Sequence, residues 1–458
     1  MSSPLEYAQQ HRAEHLTELK DFLRIPSVST QPDHAADTAR AAAWLAEAMK
    51  TAVLDNVTVI PTAGHPLVYA DWLHAGPEAP TVLIYGHYDV QPAEPFAEWH
   101  TPPFEPTVKD DFLYARGASD DKGQVYVHVK AVEAHLKANG RLPVNVKFIV
   151  EGEEESGGAN LRAFIPENKA LLAADVALVS DTSMISRDLP SIVYGLRGMC
   201  YMFLDITGPA RDLHSGSFGG GIDNPLNVLG HVIARLKDPA GHILIPGFYD
   251  KVRPLAAEER AVLSQLPLDQ VAWLAETGAP QAWGEPEFTL VERLGARPTL
   301  DVNGIIGGYT GPGGKTVLPS SVHCKLSMRL VPDQDPQEIA QLFRDYVQSI
   351  VPPTVTVTIN GRGGAPATIT DRHIPAMQAA VAAIEASFGK KPVFMREGGS
   401  IPVVGQFQEF LGLETVLMGF GLPDDRIHAP NERFYLPNFY RGIETSIRFL
   451  DNYDHQAR

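Results

Sequence analysis

Apolar positions along the chain recur in two rhythms. Leu16, Leu19, Phe22 and Leu23 stand at helical spacing, which predicts a helix over 5–25 that stops before Pro26. A second, Ala-rich helix is predicted over 35–50. Short apolar runs at 57–60, 67–72 and 81–85 read as strands. A Pro- and aromatic-rich loop follows over 91–112, then a helix over 123–138 and strands over 144–150 and 175–180. Strands alternating with helices predict an α/β fold with a mostly parallel sheet flanked by helices. In such sheets ligands gather beyond the C-terminal strand ends.

Near residue 195 the rhythm changes. A strand is predicted over 200–206. Asp223-Asn224-Pro225-Leu226 opens a helix, with Pro225 suited to its first turn and Leu226, Leu229, Ile233 and Leu236 on its apolar face. Residues 250–297 read as irregular, acidic and Pro-containing. Residues 321–330 alternate as a strand, 336–350 as a helix and 355–359 as a strand. This is the pattern of an α+β module inserted at 195–367. From 374 the first pattern resumes with a helix (374–388), an apolar segment (401–411), a strand (415–418) and a helix (437–450). The expected organisation is one domain from 1–194 and 368–458, interrupted by a second at 195–367.

Charge narrows the function classes. The chain of 458 residues has 38 Lys and Arg against 55 Asp and Glu, a formal net charge of −17. That leaves no basic excess for phosphates and argues against a nucleic-acid partner. No apolar run approaches the roughly 20 residues that span a bilayer, so no membrane association is expected. The first residues lack a basic stretch followed by an apolar core, and Cys200 and Cys324 form no CxxC pair. The expected location is the cytoplasm.

The candidate chemistry follows the strands. Tyr85-Gly86-His87-Tyr88-Asp89-Val90 closes one apolar run. His87 and Asp89, two apart, share a face, as a metal ligand and the carboxylate behind it do. Ala115-Arg116-Gly117-Ala118-Ser119-Asp120-Asp121-Lys122-Gly123 sets two carboxylates in a turn. Glu151-Gly152-Glu153-Glu154-Glu155-Ser156-Gly157-Gly158 crowds glutamates at a strand end. One of these can bind metal while a neighbour keeps enough proton affinity to act as a base. Ser180-Asp181 ends another strand, and Ile427-His428-Ala429-Pro430-Asn431-Glu432 lies near the C-terminus. Imidazoles with hard carboxylate oxygens suit Zn²⁺, Mn²⁺ or Co²⁺. One bridging carboxylate with two ligands on either side describes a two-metal hydrolase site.

In this order the motifs resemble the M20 family of metallopeptidases, most of all its dipeptidase branch, over nearly the whole chain. The resemblance implies that His87 and Asp181 hold one divalent ion, Glu155 and His428 a second, and that Asp120 bridges them. It makes Glu154 the general base, has Asp89 orient His87, and implies a cis peptide after Asp120. Glu153 stands where relatives often carry a neutral residue, and Asp121 adjoins Asp120. A slip of one residue would therefore exchange roles in either motif. The inserted module resembles the family's lid and dimerisation domain. It implies a homodimer in which His214, in Asp212-Leu213-His214-Ser215-Gly216, stabilises the oxyanion in the partner's site. Arg329 matches the lid arginine that clamps a substrate carboxylate. Thr316 and Arg396-Glu397-Gly398-Gly399-Ser400 match substrate-contact positions, with Gly398, Gly399 and Ser400 offering backbone N–H groups for a carboxylate. The expected activity is hydrolysis of dipeptides or very short peptides. A carboxypeptidase or an N-acyl amino acid deacylase stays open on the same site, as does a metal-poor binding or scaffold protein on the same fold.

Overall fold

The computed structural model describes residues 2–361 and 364–457. The chain folds as two compact units, one of 1–194, 370–394 and 402–458 and one of 195–369 and 395–401.

The first unit is built on a mixed sheet. Its strand order is Asp55–Ile60, Leu67–Trp72, Asn145–Glu151, Thr81–His87, Val176–Val179, Thr415–Leu417, then Ser191–Leu196. The middle four, from Asn145–Glu151 to Thr415–Leu417, run parallel, and the strands on either side pair antiparallel. Thr81–His87 and Asn145–Glu151 are buried almost throughout, as expected of parallel strands covered on both faces. Helix Lys122–Asn139 packs against Leu436–Ala457, which packs in turn against Pro375–Phe388.

Two glycines let the site close. A Cβ on Gly86 would lie 2.6 Å from Asp121 Oδ2, and one on Gly123 would lie 2.0 Å from the Ala118 carbonyl. Only glycine lets the helix start approach the strand end so closely.

In the second unit, four antiparallel strands stand in the order Thr299–Gly307, Ser321–Leu330, Gly198–Thr207, Thr356–Asn360. Alternate residues Cys200, Met202, Leu204 and Ile206 pack with Val322, Cys324, Leu326 and Met328 beneath helices Pro225–Leu236 and Pro336–Ile350. Each helix has Pro at its first position behind a capping side chain, Asn224 or Asp335, the arrangement that pre-sets a helical start.

The structure departs from the sequence reading in several places, among them unpredicted strands at Ser191–Leu196 and Thr299–Gly307. The N-terminal helix is two, Pro4–Gln10 and Arg12–Leu23. The last helix extends to Ala457. The segment expected to be irregular holds three short helices, Ala257–Leu263, Gln270–Thr277 and Leu290–Gly295. Asp269 caps the second and a Thr289/Glu292 capping box starts the third. These local hydrogen bonds stabilise helices too short to show an apolar period. Among the described residues no helix is long and apolar enough to cross a membrane.

Candidate metal centre and substrate-binding residues

The five candidate ligands come from five places in the first unit and meet beyond the C-terminal ends of its parallel strands. His87 ends one strand, Glu155 follows the strand at 145–151, and Asp181 follows the strand at 176–179. Asp120 precedes helix Lys122–Asn139, and His428 comes from the loop after Thr415–Leu417. Two groups form, His87 with Asp120 and Asp181, and Asp120 with Glu155 and His428. Within each group the ligand atoms lie within 4.8 Å of one another.

Asp120 belongs to both. Its Oδ1 is 3.0 Å from His87 Nε2 and its Oδ2 is 2.9 Å from His428 Nε2. His428 Nε2 is also 3.2 Å from Glu155 Oε1, and His87 Nε2 is 3.9 Å from Asp181 Oδ2. One carboxylate thus turns one oxygen to each of two imidazoles. The donor set is hard oxygen plus imidazole nitrogen, which suits divalent metal cations.

The carboxyls and imidazoles of the cluster shift one another's proton affinities. Burial drives the Asp120 carboxyl up, but hydrogen bonds to His428 and His87 outweigh it and hold the group below the usual range. Burial lowers the proton affinity of His87, yet Asp120, Asp89 and Asp181 raise it well above an ordinary imidazole. His428 is raised to about 10 by its bonds to Asp120 and Glu155. Glu154 is raised to about 9, first by burial and then by the charges of Asp181, Glu155 and Asp120, with His87 opposing. Burial among carboxylates thus strengthens the hold of the Glu154 carboxyl on a proton.

The neighbours of the cluster are fixed by a dense frame. Asp89 lies behind His87, with Oδ1 3.3 Å from Nδ1 and its carbonyl 3.1 Å from the same atom. Its carboxylate also accepts the backbone N–H groups of Glu154 and Glu155 and the hydroxyl of Ser29. Asp89 therefore ties the imidazole to the acidic turn. Asp121 accepts the His87 backbone N–H at 3.1 Å, and the Asp120-Asp121 peptide is cis. Glu153 points elsewhere and accepts from His65 N and Asn160. Of the three adjacent glutamates, Glu155 alone joins the cluster.

Several supports escaped the sequence reading. Glu432, fully buried, accepts the backbone N–H groups of Gly117, Ser119 and Asp120 and pairs with buried Arg116 at 2.6 Å. It holds the whole turn that carries Asp120. Gln91 donates to Glu155 Oε2 at 2.7 Å. Lys122, also buried, donates to the carbonyls of Phe22 and Ile25 and anchors the N-terminal segment beneath the site. The one signal in the sequence is an acid and an arginine inside the same motifs as the ligands. Nothing in spacing pairs Arg116 with a residue 316 positions away.

The remaining candidates lie in the second unit. His214 pairs across a short ladder with Val317, and the Thr316 carbonyl accepts the Ser215 N–H at 3.1 Å, so His214 and Thr316 are neighbours. His214 is exposed. Its Nδ1 accepts the Gly216 N–H at 3.1 Å, which leaves the ring proton on Nε2. Arg329 Nη1 donates to Ser400 Oγ at 3.0 Å, and that hydroxyl donates to the Arg197 carbonyl. Gly399 is exposed beside them.

A parallel sheet whose strand ends gather two imidazoles around a shared carboxylate has the plan of a metal-dependent hydrolase. The chain belongs to peptidase family M20/M25/M40, whose model matches residues 83–452, and it is a metallopeptidase of that family. It is 35% identical over 381 residues to a Cys-Gly metallodipeptidase of Schizosaccharomyces pombe, covering 82% of this chain and 80% of the relative. It is 32% identical over 468 residues to the Homo sapiens Beta-Ala-His dipeptidase, covering 97% and 91%. Its structure is similar to an M20 family metallo-carboxypeptidase from Sulfolobus solfataricus, with a TM-score of 0.88 and 33% identity, covering 96% of this chain and 99% of that one.

Proposed function

We propose that the protein is a two-metal dipeptidase. The observation that carries this reading is Asp120, with one oxygen turned to His87 and the other to His428. His87 and Asp181 would hold one divalent ion, Glu155 and His428 the other, and Asp120 both. Bound there, Zn²⁺, Mn²⁺ or Co²⁺ would supply Lewis acidity that acidifies water and polarises a peptide carbonyl.

The chain's own residues do the rest. Glu154 takes a proton from the attacking water on a carboxylate oxygen and delivers it to the leaving amine. Asp89 holds the His87 ring and the backbone of Glu154 in one frame. Arg329, steadied by Ser400, receives the substrate's C-terminal carboxylate through its guanidinium. Thr316 and Gly399 contact the substrate beside it. His214, whose Nε2 is the free donor, serves the oxyanion from the partner copy of a homodimer. The two unpaired cysteines accord with a cytoplasmic protein. The names of the fission-yeast and human relatives favour dipeptides as substrates.

The test is hydrolysis of a panel of dipeptides, tripeptides and N-acetyl amino acids by metal-stripped protein reloaded with each cation. Dipeptide turnover restored by metal, with N-acetyl substrates inert, is expected. The likeness to the archaeal carboxypeptidase favours a second reading, in which longer peptides enter and lose their last residue. Faster turnover of tripeptides than of dipeptides would establish that reading instead.

A further inference from the structure

A cleft of about 380 Å³ opens within the second unit, floored by strand residues that include Ser327 and Arg329. These alternate with Leu326 and Met328, which face the helices, so Ser327 and Arg329 lie on the opposite face of the sheet. Arg197, Lys237, Arg293, Arg297 and Arg329 line it, against the carboxylates of Glu285 and Asp301. Five cations and two acids leave an excess of three positive charges, in a chain whose net charge is −17.

The pairing is uneven. Arg297 grips Glu285 with two nitrogens, one of them 2.7 Å from Oε1. Lys237 lies 3.3 Å from Asp301 and 4.6 Å from the Trp283 ring centre. The other three bond neutral oxygens. Arg197 donates to the carbonyls of Gly398 and Arg297, Arg293 to those of Phe288 and Trp283, and Arg329 to the Ser400 hydroxyl. Among the described residues none of the three is paired with a carboxylate. Burial and the nearby charge of Arg329 depress Arg197 to about 10. Guanidiniums that outnumber the carboxylates beside them repel one another, and an anion placed among them offsets that cost.

We propose that this cleft is an anion subsite that selects substrates whose C-terminal residue carries a second carboxylate. Arg329 and Arg197 flank the first carboxylate and Arg293 meets the second. Packing holds the two outer guanidiniums in place. A Cβ on Gly398 would lie 2.6 Å from Arg197 Nη2, and one on Gly284 would lie 2.9 Å from Arg293 Cδ. The volume accommodates the side chain of an aspartate or glutamate. The inference rests on the reading of Arg329 as the carboxylate residue, and it names the substrate class: dipeptides ending in Asp or Glu.

The test has two arms on the metal-loaded protein. The first is calorimetric titration with glutarate and with butyrate, for the native protein and for Arg293→Gln. Charge-assisted hydrogen bonds from one further guanidinium predict about tenfold tighter binding of the dicarboxylate. The ratio should collapse toward one in the variant. Equal affinities in the native protein, or a ratio that survives Arg293→Gln and so comes from the metal centre, overturn the proposal. The second arm is kcat/KM for Ala-Glu over Ala-Gln, expected to favour the acid by about tenfold. Dicarboxylate discrimination through Arg293 without any dipeptide turnover would keep the subsite and sink the dipeptidase reading. Dipeptide turnover without discrimination in either arm would do the reverse.

Discussion

The two units hold opposite electrostatic imbalances. In the first, Asp120, Glu154, Glu155 and Asp181 crowd together with two imidazoles as their cationic partners. In the second, five basic side chains share a cleft with two acids. Outside both, buried Arg116 is paired and hydrogen-bonded with buried Glu432. We read each imbalance as the place for a ligand of opposite sign, cations in one unit and an anion in the other.

The largest effect should come from removing the carboxylate that belongs to both metal groups. Asp120→Ala should lose both cations, measured by atomic emission on dialysed protein, and with them essentially all hydrolysis. Full retention of both metals would break the first half of the comparison. Glu154→Gln should act differently. Metal content should stay while kcat falls about 10²–10⁴-fold, the usual contribution of a general base. A variant that keeps full kcat would remove Glu154 from the mechanism.

Glu432 tests whether buried charge outside the centre is as closely matched as it looks. Glu432→Gln keeps the shape but leaves Arg116 buried without its counter-charge, which costs about 3–5 kcal/mol where such pairs are broken. The urea midpoint should fall accordingly. Because Glu432 also holds the Ser119 and Asp120 N–H groups, metal affinity should fall with it. An unchanged midpoint would mean the pair contributes little.

Much of this was legible in the chain. His87, Glu155 and Asp181 stand out because each follows an apolar run, where parallel strands gather ligands. Asp120 stands out because it sits in a Gly-containing turn, whereas His428 is a weak signal alone and gains its role from the family resemblance. Strand periodicity located 321–330 and helix periodicity 336–350 because both elements bury one face only. The supports were not legible. Ser29 and the backbone of Glu155 meet at Asp89, and Arg116 meets Glu432, through contacts between distant segments that no local pattern encodes. The helices between 257 and 295 were missed for another reason. All three are short, and two of them start at a capping side chain rather than on an apolar stripe. The cationic cleft was missed because its arginines are spread from 197 to 329 and form no run.

The smallest expected effect separates two buried histidines of the same unit. His87 sits among carboxylates, whereas among the described residues the partners of His128 are the hydroxyls of Ser446 and Ser180, at 2.9 and 2.8 Å. Burial without a compensating charge drives His128 down to about 3. Between that value and the ordinary histidine pKa of about 6.5 the unfolded chain binds a proton that the folded protein refuses. Stability then rises with pH in this window and is lost as pH falls below about 6.5, on the order of 1 kcal/mol per pH unit for one such group. Urea midpoints measured between pH 7.5 and 5 should decline for the native protein and decline less for His128→Gln, whose side chain takes up no proton. Parallel slopes would assign the acid sensitivity to other groups, and buried His15, also driven to about 3 mainly by burial, would be the next to replace. Neither residue borders a candidate metal ligand in sequence, so their contribution should persist in metal-stripped protein. A slope that vanishes on removing the metal would place the pH sensitivity in the acidic centre instead.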